Sequence, residues 1–387
     1  MRDSKVATQI CKEYNNEALS ISLKQCFDLL GGLSSFIKPS HTVLIKPDLY
    51  YATEPNEAKT TNPHVVVALA ELIAKIGAKC IIADSPRGDF KHSVLDNAYL
   101  KTQMLEASND GHATLNINEN VAVINNPNGE HCREIYVIDA VNDADVIINV
   151  GKLRCDKYLG LVGCGQNLFG LIPGKMKEVI KARCHNLKTY YNYSIDLYEA
   201  LENKIILNLL DGVVGSEAND EPRILNALIV GQNPYSVDAT ALKIINQDPS
   251  ESLLLCEAER RNKYNSSFEN LGDNINSLIC PDFHYSTFYE NIAPGSEKSF
   301  KNKYNRTQKR PIISQKLCKG CTACTKSCPM NAITMSEGVL GKHAVIDYSK
   351  CISCFKCLQS CPYKIVKTKN PLKHKSIDKK IQKALKK

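Results

Sequence analysis

The sequence has no long apolar run. In its 387 residues, no stretch approaches the roughly 20 consecutive apolar residues that a membrane-spanning helix needs. The start of the chain, MRDSKVATQICKEYNNEALS, is polar and lacks the apolar core of a secretory signal peptide. With 43% hydrophobic and 23% charged residues, the composition is ordinary for a soluble globular protein, and the length allows two or three domains. We therefore expect a cytoplasmic protein.

Two common signatures of nucleotide binding are also missing. The glycine-rich stretch Gly163–Gly174, GCGQNLFGLIPG, does not contain the GxxxxGK[ST] phosphate loop, and it does not place GxGxxG between a strand and a helix. The turn Gly163-Cys164-Gly165 leaves two interpretations open, an ordinary turn or a close approach of the backbone to a ligand. The sequence therefore predicts neither a P-loop nor a dinucleotide fingerprint.

Net charge is low outside the C-terminal tail. The segment Tyr363–Lys387 contains ten lysines and one aspartate, so the formal charge of +8 comes from the tail and the rest is near neutral. Ile377, Ile381, Ala384 and Leu385 have the spacing of an amphipathic basic helix. Such a helix suits an acidic redox partner or an anionic membrane surface, and the alternative is a disordered, solvated tail. Nucleic acid is not an expected partner, since SIDKKIQKALKK has no aromatic residue to stack bases.

Cysteine, in contrast, is abundant, with 17 residues. Disulfides rarely persist in the cytosol, so this number points to metal or redox chemistry. Eight cysteines lie in two runs, starting at Cys318 and Cys351, that each read C-x2-C-x2-C-x3-C-P. Sets of four thiolates are what [4Fe–4S] clusters require, whereas structural zinc prefers C-x2-C pairs separated by a longer loop. The other nine are scattered, and most are expected to be buried apolar residues, with a reactive thiol as the alternative at Cys155 or Cys164.

The two runs resemble the two-cluster bacterial ferredoxins. CPMNAI after the first run continues as in these ferredoxins, whereas CPYKIV after the second departs slightly without changing a ligand. In this pattern, the fourth cysteine of each run ligates the other cluster. The resemblance therefore implies two crossed ligand sets, which are Cys318, Cys321, Cys324 and Cys361 for the first cluster and Cys351, Cys354, Cys357 and Cys328 for the second. Such clusters exchange single electrons, so the module is expected to connect a redox partner protein with an electron acceptor.

The longer N-terminal part has the pattern of alternating strands and helices. Residues 42–84 give the clearest unit, with the apolar strand TVLIK, a helix after the cap sequence TTNP, and a second strand in AKCIIADSP. Such a unit implies parallel strands joined by a right-handed crossover. We predict an α/β domain over residues 1–290, with a mostly parallel open sheet and helices on both faces. A linker over 291–311, a small α+β ferredoxin-like domain over 312–366 and a basic tail over 367–387 would follow.

Seven stretches occur in order along the N-terminal part, namely VLIKPDLY, TTNPHVV, ADSPRG, ADVIINVGKLR, GQNLFGLIPG, LLDGVVG and NPYSVDATA. Through them the chain resembles the domain-of-unknown-function 362 family from about Lys5 to Asp248, and members of that family often carry a ferredoxin module. Two positions depart from the family pattern, since Asp48 replaces a usual Asn and Asp156 replaces a common His. If that histidine acts in relatives, Asp156 would supply a carboxylate instead, or the activity would be lost. The family's activity is poorly defined, so the resemblance implies architecture more than function.

Polar residues follow most of the predicted strands. Ligands of open α/β sheets bind beyond the carboxyl ends of the strands, so these residues form the candidate site. The candidates for catalysis are Lys46, Asp48, Asp84, Asp156, His185, Asp211 and Asp238. The candidates for substrate binding are Thr60, Thr61, Ser85, Arg87, Lys152, Arg154 and Lys175. Lys and Arg groups beside a helix N-terminus suit a small molecule that bears a phosphate or a carboxylate. Asp84, Asp211 and Asp238 could hold a divalent cation or act as acids and bases, and helix capping is the alternative role.

Together these features predict an iron–sulfur oxidoreductase, in which two [4Fe–4S] clusters pass electrons to an anionic substrate or cofactor in the α/β domain. One alternative is a non-catalytic electron carrier or assembly factor whose α/β domain binds a protein partner. A second is a metal-dependent, non-redox enzyme with structural clusters, which a weak likeness of the family to lactate racemase-type domains suggests. The enzyme hypotheses, unlike the carrier hypothesis, predict that a small molecule or a metal co-purifies with the α/β domain.

Overall fold

A computed structural model gives the fold of the chain. The residues it describes are 5–109, 111–157, 159–174, 176–184, 187–286, 310–328, 330–338, 341–348, 350–351 and 355–369. Three predicted site residues, Lys175, His185 and Cys354, lie outside the described residues. The same holds for all but two residues of the predicted linker and all but three of the predicted basic tail.

The chain divides into two compact units. The first consists of Met1–Asn126, Ile135–Lys177 and Tyr191–Asn291. The second consists of Pro127–Glu134, Glu178–Tyr190 and Ile292–Lys387. The second unit therefore contains both cysteine runs together with two short segments that lie far earlier in the sequence.

Strands and helices alternate along much of the chain. The strands are β1 Lys5–Ile10, β2 Thr42–Pro47, β3 Lys79–Ile82, β4 Ala113–Leu115, β5 Val121–Asn125, β6 Glu134–Ile138, β7 Val146–Asp156, β8 Gly160–Leu161, β9 Ile205–Ser216, β10 Pro222–Gly231, β11 Glu269–Gly272, β12 Arg310–Ile313, β13 Ile333–Gly338, β14 Gly341–Ile346 and β15 Val366–Lys369. The helices are α1 Asn16–Leu29, α2 Pro63–Ala74, α3 His92–Lys101, α4 Glu106–Asn109, α5 Ala140–Asp143, α6 Gly163–Asn167, α7 Met176–Arg183, α8 Leu187–Leu201, α9 Pro234–Ile244, α10 Leu253–Arg260, α11 Ala323–Lys326 and α12 Lys356–Gln359. Among the residues described, no helix has both the length and the apolar character that a membrane span requires.

The first unit is built on a nine-stranded sheet in the order β11-β1-β10-β9-β7-β2-β3-β4, with β8 paired to β7 at the side. Along this order all neighbours are parallel except β1–β10 and β10–β9. The strands β9 and β10 form an antiparallel hairpin because residues 217–221 are too few for the crossover that parallel neighbours require. The prediction of a mostly parallel sheet is confirmed.

Helices cover both faces of this sheet. On one face, α1 and α2 pack over an apolar core that includes Ala7 of β1. On the other face, α6 and α9 pack against β7, β9 and β10. Side chains alternate between the two faces along β1. Ala7 belongs to the core under α1 and α2, whereas Val6 is on the opposite face, where it and Val237 of α9 both lie beside Gly231. The central strand β7 is buried at every residue but its last, as expected for a strand covered on both sides.

The crossover predicted over residues 42–84 corresponds to β2, α2 and β3, and β2 and β3 are parallel. Asn62 caps α2, since its side-chain oxygen accepts the His64 N–H at 3.0 Å, and Pro63 takes the first helical position. The backbone N–H of Asp48 donates to Thr61 Oγ1 at 2.8 Å. This hydrogen bond holds the start of α2 at the carboxyl end of β2, where the candidate site is expected.

The second unit contains two similar halves. Thr322 and Phe355 each follow the second cysteine of a run, both have left-handed φ values of 64° and 60°, and each precedes a four-residue helix, α11 or α12. Ser327 and Ser360 each precede the fourth cysteine, and their hydroxyls are hydrogen-bonded at 2.7 Å. The strands pair as β12–β15 and β13–β14, both antiparallel. The repeated spacing thus produces a repeated backbone, and the predicted small α+β domain is confirmed.

Candidate functional site

Four cysteines from both runs line one cavity of the second unit. Cys318, Cys321 and Cys324 belong to the first run, and Cys361 belongs to the second. Apolar side chains contribute to the rest of the lining, among them Ile313, Met335, Ala344, Ile365 and Val366. Thiolates are soft ligands matched to iron–sulfur clusters, so this donor set fits a [4Fe–4S] cluster. It is also the set that the sequence predicts for the first cluster.

Three cysteines of the second predicted set lie in the described part of the chain. Cys351 and Cys357 are buried and Cys328 is half-buried, while the fourth member lies outside the described residues. The Ala332 N–H donates to Cys328 Sγ at 3.2 Å, and in the first set the Ala344 N–H donates to Cys318 Sγ at 3.4 Å. Backbone donors to sulfur stabilise a thiolate and tune the potential of a bound cluster. Each set therefore has at least one ligand held by the backbone.

In the first unit, Lys46 at the carboxyl end of β2 is fully buried and paired. Its ammonium lies 2.9 Å from Asp84 Oδ1 and donates to Asn167 Oδ1 at 2.8 Å and to the Pro47 carbonyl at 2.7 Å. A side chain at Gly170 would collide with both the Asp84 carboxylate and the ammonium. Glycine is thus required for the chain to close over this ion pair, and Lys46 makes two hydrogen bonds inside the protein in addition to its ion pair.

A second buried cation, Lys152 on β7, pairs with Asp211 on β9 at 2.8 Å. Burial lowers the pKa of Lys152, while the charge of Asp211 and its hydrogen bond act in the opposite direction. The hydroxyl of Tyr14 accepts from the Lys152 ammonium at 2.9 Å and from the Val214 N–H at 3.0 Å, and it donates to Asp211 Oδ1 at 2.7 Å. The Asn62 N–H donates to Asp211 Oδ2 at 3.0 Å. The hydrogen bonds of Asp211 therefore connect the start of α2 with β7 and β9.

The third buried cation, Arg154, is paired through one nitrogen only. Its Nε donates to Asp48 Oδ2 at 2.8 Å, and its guanidinium carbon lies 5.1 Å from the ring centroid of Tyr51. Within the described parts of the chain, its terminal nitrogens Nη1 and Nη2 make no hydrogen bond, and the side chain is 8% exposed. Arg154 is therefore the cation of this group that retains donors for a ligand.

Two adjacent threonines just before α2 differ in their hydrogen bonding. Thr60 and Thr61 are both fully buried. Thr61 Oγ1 accepts from the Asp48 N–H at 2.8 Å and donates to the Val150 carbonyl at 2.8 Å. Thr60 Oγ1 has no hydrogen-bond partner among the described residues. A buried hydroxyl without a partner is costly, so Thr60 is a position where a bound molecule would complete the hydrogen bonding.

Asp238 on α9 lies at the turn Gly163-Cys164-Gly165. Its carboxylate accepts the Cys164 N–H at 2.6 Å and the Gly165 N–H at 2.9 Å. A side chain at Gly163, where φ is +50°, would collide with this carboxylate. Burial raises the pKa of Asp238 to about 7, against the lowering effect of the two N–H donors. The close approach at this turn is therefore made by a carboxylate of the protein itself.

The remaining candidates have separate surroundings. Ser85 Oγ accepts the Gly174 N–H at 2.7 Å, Asp156 accepts the Leu159 N–H at 3.0 Å, and Arg87 is exposed. No three His, Cys, Asp or Glu side chains in the described ranges lie close enough to hold one metal ion. A cubane presents four separate irons, so this finding concerns single ions rather than clusters.

Burial also makes the two thiols considered for reactivity inert. Cys155 is 4% exposed and Cys164 is fully buried. Burial raises the pKa of both thiols, well above the ordinary value in the case of Cys164. A thiol that stays protonated is a poor nucleophile. The interpretation of both residues as buried packing is therefore the one that the structure favours.

Sequence reasoning missed two parts of this site. Tyr14 lies between β1 and α1, and nothing in its local sequence indicates a role. Asn149, Asn208 and Asn167 form a buried hydrogen-bonded chain with links of 2.8 Å, which continues to Lys46. The single asparagines inside the apolar strands VIINV and KIILNLL, Asn149 and Asn208, were a signal for this series of hydrogen bonds, because buried polar groups need partners.

Comparisons with known proteins agree with this architecture. Residues 317–365 match the 4Fe-4S dicluster domain family, so the chain is an iron–sulfur protein. A curated relative, the thylakoid-associated protein sll1697 of Synechocystis sp., is 26% identical over 260 residues, which are 64% of this chain and 77% of the relative. The lactate racemase apoprotein of Thermoanaerobacterium thermosaccharolyticum is similar with a TM-score of 0.40 and 14% identity, over 62% of this chain and 57% of that one. Residues 43–243, more than half of the chain, match the family described as Domain of unknown function (DUF362), and the chain belongs to that family.

Proposed function

We propose that this protein is an oxidoreductase in which two [4Fe–4S] clusters exchange single electrons with an anionic molecule bound in the first unit. The cavity lined by Cys318, Cys321, Cys324 and Cys361 carries the cluster part of the proposal, since both runs contribute to it. The second set would be Cys351, Cys354, Cys357 and Cys328. When bound, such clusters supply one-electron transfer, and with four thiolates each they leave no iron open for substrate.

The proposed ligand site in the first unit centres on Arg154. Lys46 and Lys152 are cations too, but Lys46 donates to Pro47 and Asn167 and pairs with Asp84, and Lys152 is held by Asp211 and Tyr14. Arg154 keeps two terminal nitrogens, which form a fork that matches a carboxylate or phosphate. The buried hydroxyl of Thr60 adds a second polar group without a partner. These two residues would bind and orient the anion. The carboxylates of Asp84, Asp211 and Asp48 would keep the three cations in place.

The terminal nitrogens of Arg154 and the hydroxyl of Thr60, which lack hydrogen-bond partners among the described residues, favour this proposal over the two alternatives. A pure electron carrier has no need of a buried hydroxyl and an arginine fork left without partners. A divalent-metal enzyme needs several carboxylates at one point, whereas Asp84, Asp211 and Asp238 each have their own partners inside the protein. We place the protein in the cytoplasm, with a redox partner protein as its source or acceptor of electrons.

The test compares three forms of the full-length protein, purified without oxygen and examined by native mass spectrometry. Wild type is expected to carry an anionic small molecule, which Arg154→Lys should lose because lysine keeps the charge beside Asp48 but not the fork. The matched control is Arg261→Lys, at a buried arginine that pairs with Asp196 at 2.6 Å and is expected to leave the ligand bound. Retention of the ligand in Arg154→Lys would reject this site, and an empty wild type would favour the carrier alternative. Iron analysis of the same samples should give about eight irons per chain.

A further inference from the structure

The two halves of the second unit differ in exposure. Cys321 of the first run is exposed, Leu317 just before Cys318 is 54% exposed, and Tyr363, which lines the same cavity as Cys321, is 52% exposed. In the second run, Cys351 and Cys357 are buried. Among the cysteines of the two runs that the structure describes, the most exposed is therefore Cys321, a member of the first set.

A segment from earlier in the chain, which belongs to the same unit, contacts the second run. Lys356, between the second and third cysteines of that run, is ion-paired with Glu134 of the segment Pro127–Glu134. The equivalent position in the first run is Ala323, which has no charge to pair. The second run therefore has an ion pair with this segment at a position where the first run has an uncharged residue.

The part of the chain that contains the two cysteine runs has an excess of positive charge. Residues 310–369 contain ten Lys and Arg but only two acidic residues, Glu337 and Asp347. Lys319 lines the cysteine cavity together with Tyr363, and Lys342 lies against Gly320, whose added side-chain carbon would be 3.4 Å from Lys342 Cβ. The first-run face is defined here as Lys316, Leu317, Lys319, Lys342, Tyr363 and Lys364. Its four lysines are exposed and make no ion pair within the described residues.

We propose that the first-run face is the docking surface for an acidic protein that carries one electron. The inference rests on the proposed cluster site, because Lys319 and Tyr363 of this face line the same cavity as Cys321. Two exposed apolar side chains together with four unpaired lysines have the mixed apolar and charged composition of a transient interface. Opposite charges steer such partners together and orient them. In the transfer, the reduced carrier loses one electron and the first cluster site gains it, with no bond made or broken.

The face favours a protein over the other anionic surfaces. Lys319 and Tyr363 line the cavity that also contains the thiols of the first set, so an electron carrier bound at these two residues would have its redox centre near that cavity. A membrane surface offers charge but no electron. Anionic lipid therefore becomes an outcome of the test rather than part of the proposal.

The test uses the complete iron-loaded chain and a purified acidic flavodoxin as the probe, with binding measured by calorimetry at low and high salt. Binding is expected at low salt and should weaken steeply as salt rises. Lys319→Glu and Lys342→Glu should each weaken it about tenfold. The control is Lys350→Glu, an equal change of charge at an exposed lysine beside the second run, which should change binding by less than about threefold.

Three results would overturn the proposal. Equal weakening by the Lys350 variant would show that only net charge matters. Binding that does not depend on salt would exclude a role for the four lysines of the first-run face. Preference for vesicles of anionic phospholipid over flavodoxin would identify a membrane surface as the partner instead. Loss of the clusters is a separate failure, which iron analysis and the absorbance near 400 nm would reveal before any binding is measured.

Discussion

The two buried threonines before α2 allow a sharp test of the candidate ligand site. Both are fully buried and adjacent in the sequence, yet Thr61 Oγ1 makes two hydrogen bonds and Thr60 Oγ1 has no partner among the described residues. Replacing either with valine exchanges a hydroxyl for a methyl group of nearly the same size. The two substitutions therefore differ in the hydrogen bonds that they remove, and hardly in volume.

The magnitudes follow from those hydrogen bonds. Thr61→Val leaves the Asp48 N–H and the Val150 carbonyl without partners, so it should lower the free energy of unfolding by about 2–4 kcal/mol. Thr60→Val removes a buried hydroxyl that has no partner, so it should raise the free energy of unfolding by about 1 kcal/mol in the ligand-free protein. If a ligand fills that hydroxyl's hydrogen bond, the same substitution should weaken ligand retention by about tenfold.

The assay is urea unfolding of the complete chain, followed by hydrogen exchange in the segments around α2 so that the first unit is read separately. Ligand retention is measured on the same samples by native mass spectrometry. Destabilisation by Thr60→Val as large as that by Thr61→Val would refute the assignment of an unpartnered hydroxyl. Stabilisation without any loss of ligand would keep the structural account and remove Thr60 from the ligand site.

Three further predictions concern other parts of the chain. Cys361→Ser should abolish the same electron paramagnetic resonance signal as Cys318→Ser, although the two residues belong to different runs, and loss of different signals would contradict the crossed ligand set. Gly170→Ala should lower the free energy of unfolding by about 3–5 kcal/mol, since its methyl group meets the buried carboxylate of Asp84, and a near-neutral result in denaturant titrations would exclude that crowding. Burial raises the pKa of Asp238 from 3.8 to about 7, so the folded state retains a proton that the unfolded state has lost. Its contribution to stability is thus present at acid pH and lost as the pH rises to about 7, and Asp238→Asn should remove this dependence from unfolding curves.

Much of the fold followed from local chemistry. The cap sequence TTNP predicted where α2 begins, and the structure has Asn62 as the cap with Pro63 in the first turn. The two cysteine runs predicted a small α+β domain, and their equal spacing is accompanied by equal turns, since Thr322 and Phe355 have nearly equal φ values. The strand-end rule was right for Lys46, which lies near the carboxyl end of β2, whereas Lys152 and Asp211, expected beyond their strands, lie within β7 and β9 because both strands run further than their apolar runs.

What the sequence could not predict is which of these residues meet. The pairing of Lys46 with Asp84 and of Lys152 with Asp211 depends on strand order and register, and neither is encoded in the spacing of the motifs. Tyr14 reaches the same group from a loop that carries no recognisable signal. The antiparallel β10 was likewise hidden, because the short connection that forces a hairpin is visible only once the ends of β9 and β10 are known.

The three buried cation–carboxylate pairs argue for a functional edge of the sheet. Removing charges from water is expensive, and well-packed apolar residues would serve stability at least as well. Two of the pairs, at Lys46 and Lys152, are closed by further hydrogen bonds from the protein. Of the three cations, Arg154 alone is held by one nitrogen, and Thr60, adjacent in the sequence to the Thr61 that bonds Asp48, has a hydroxyl without a partner among the described residues. The ion pairs of Lys46 and Lys152 therefore hold the strands of this edge in position, and Arg154 is the residue whose remaining hydrogen bonds a ligand would make.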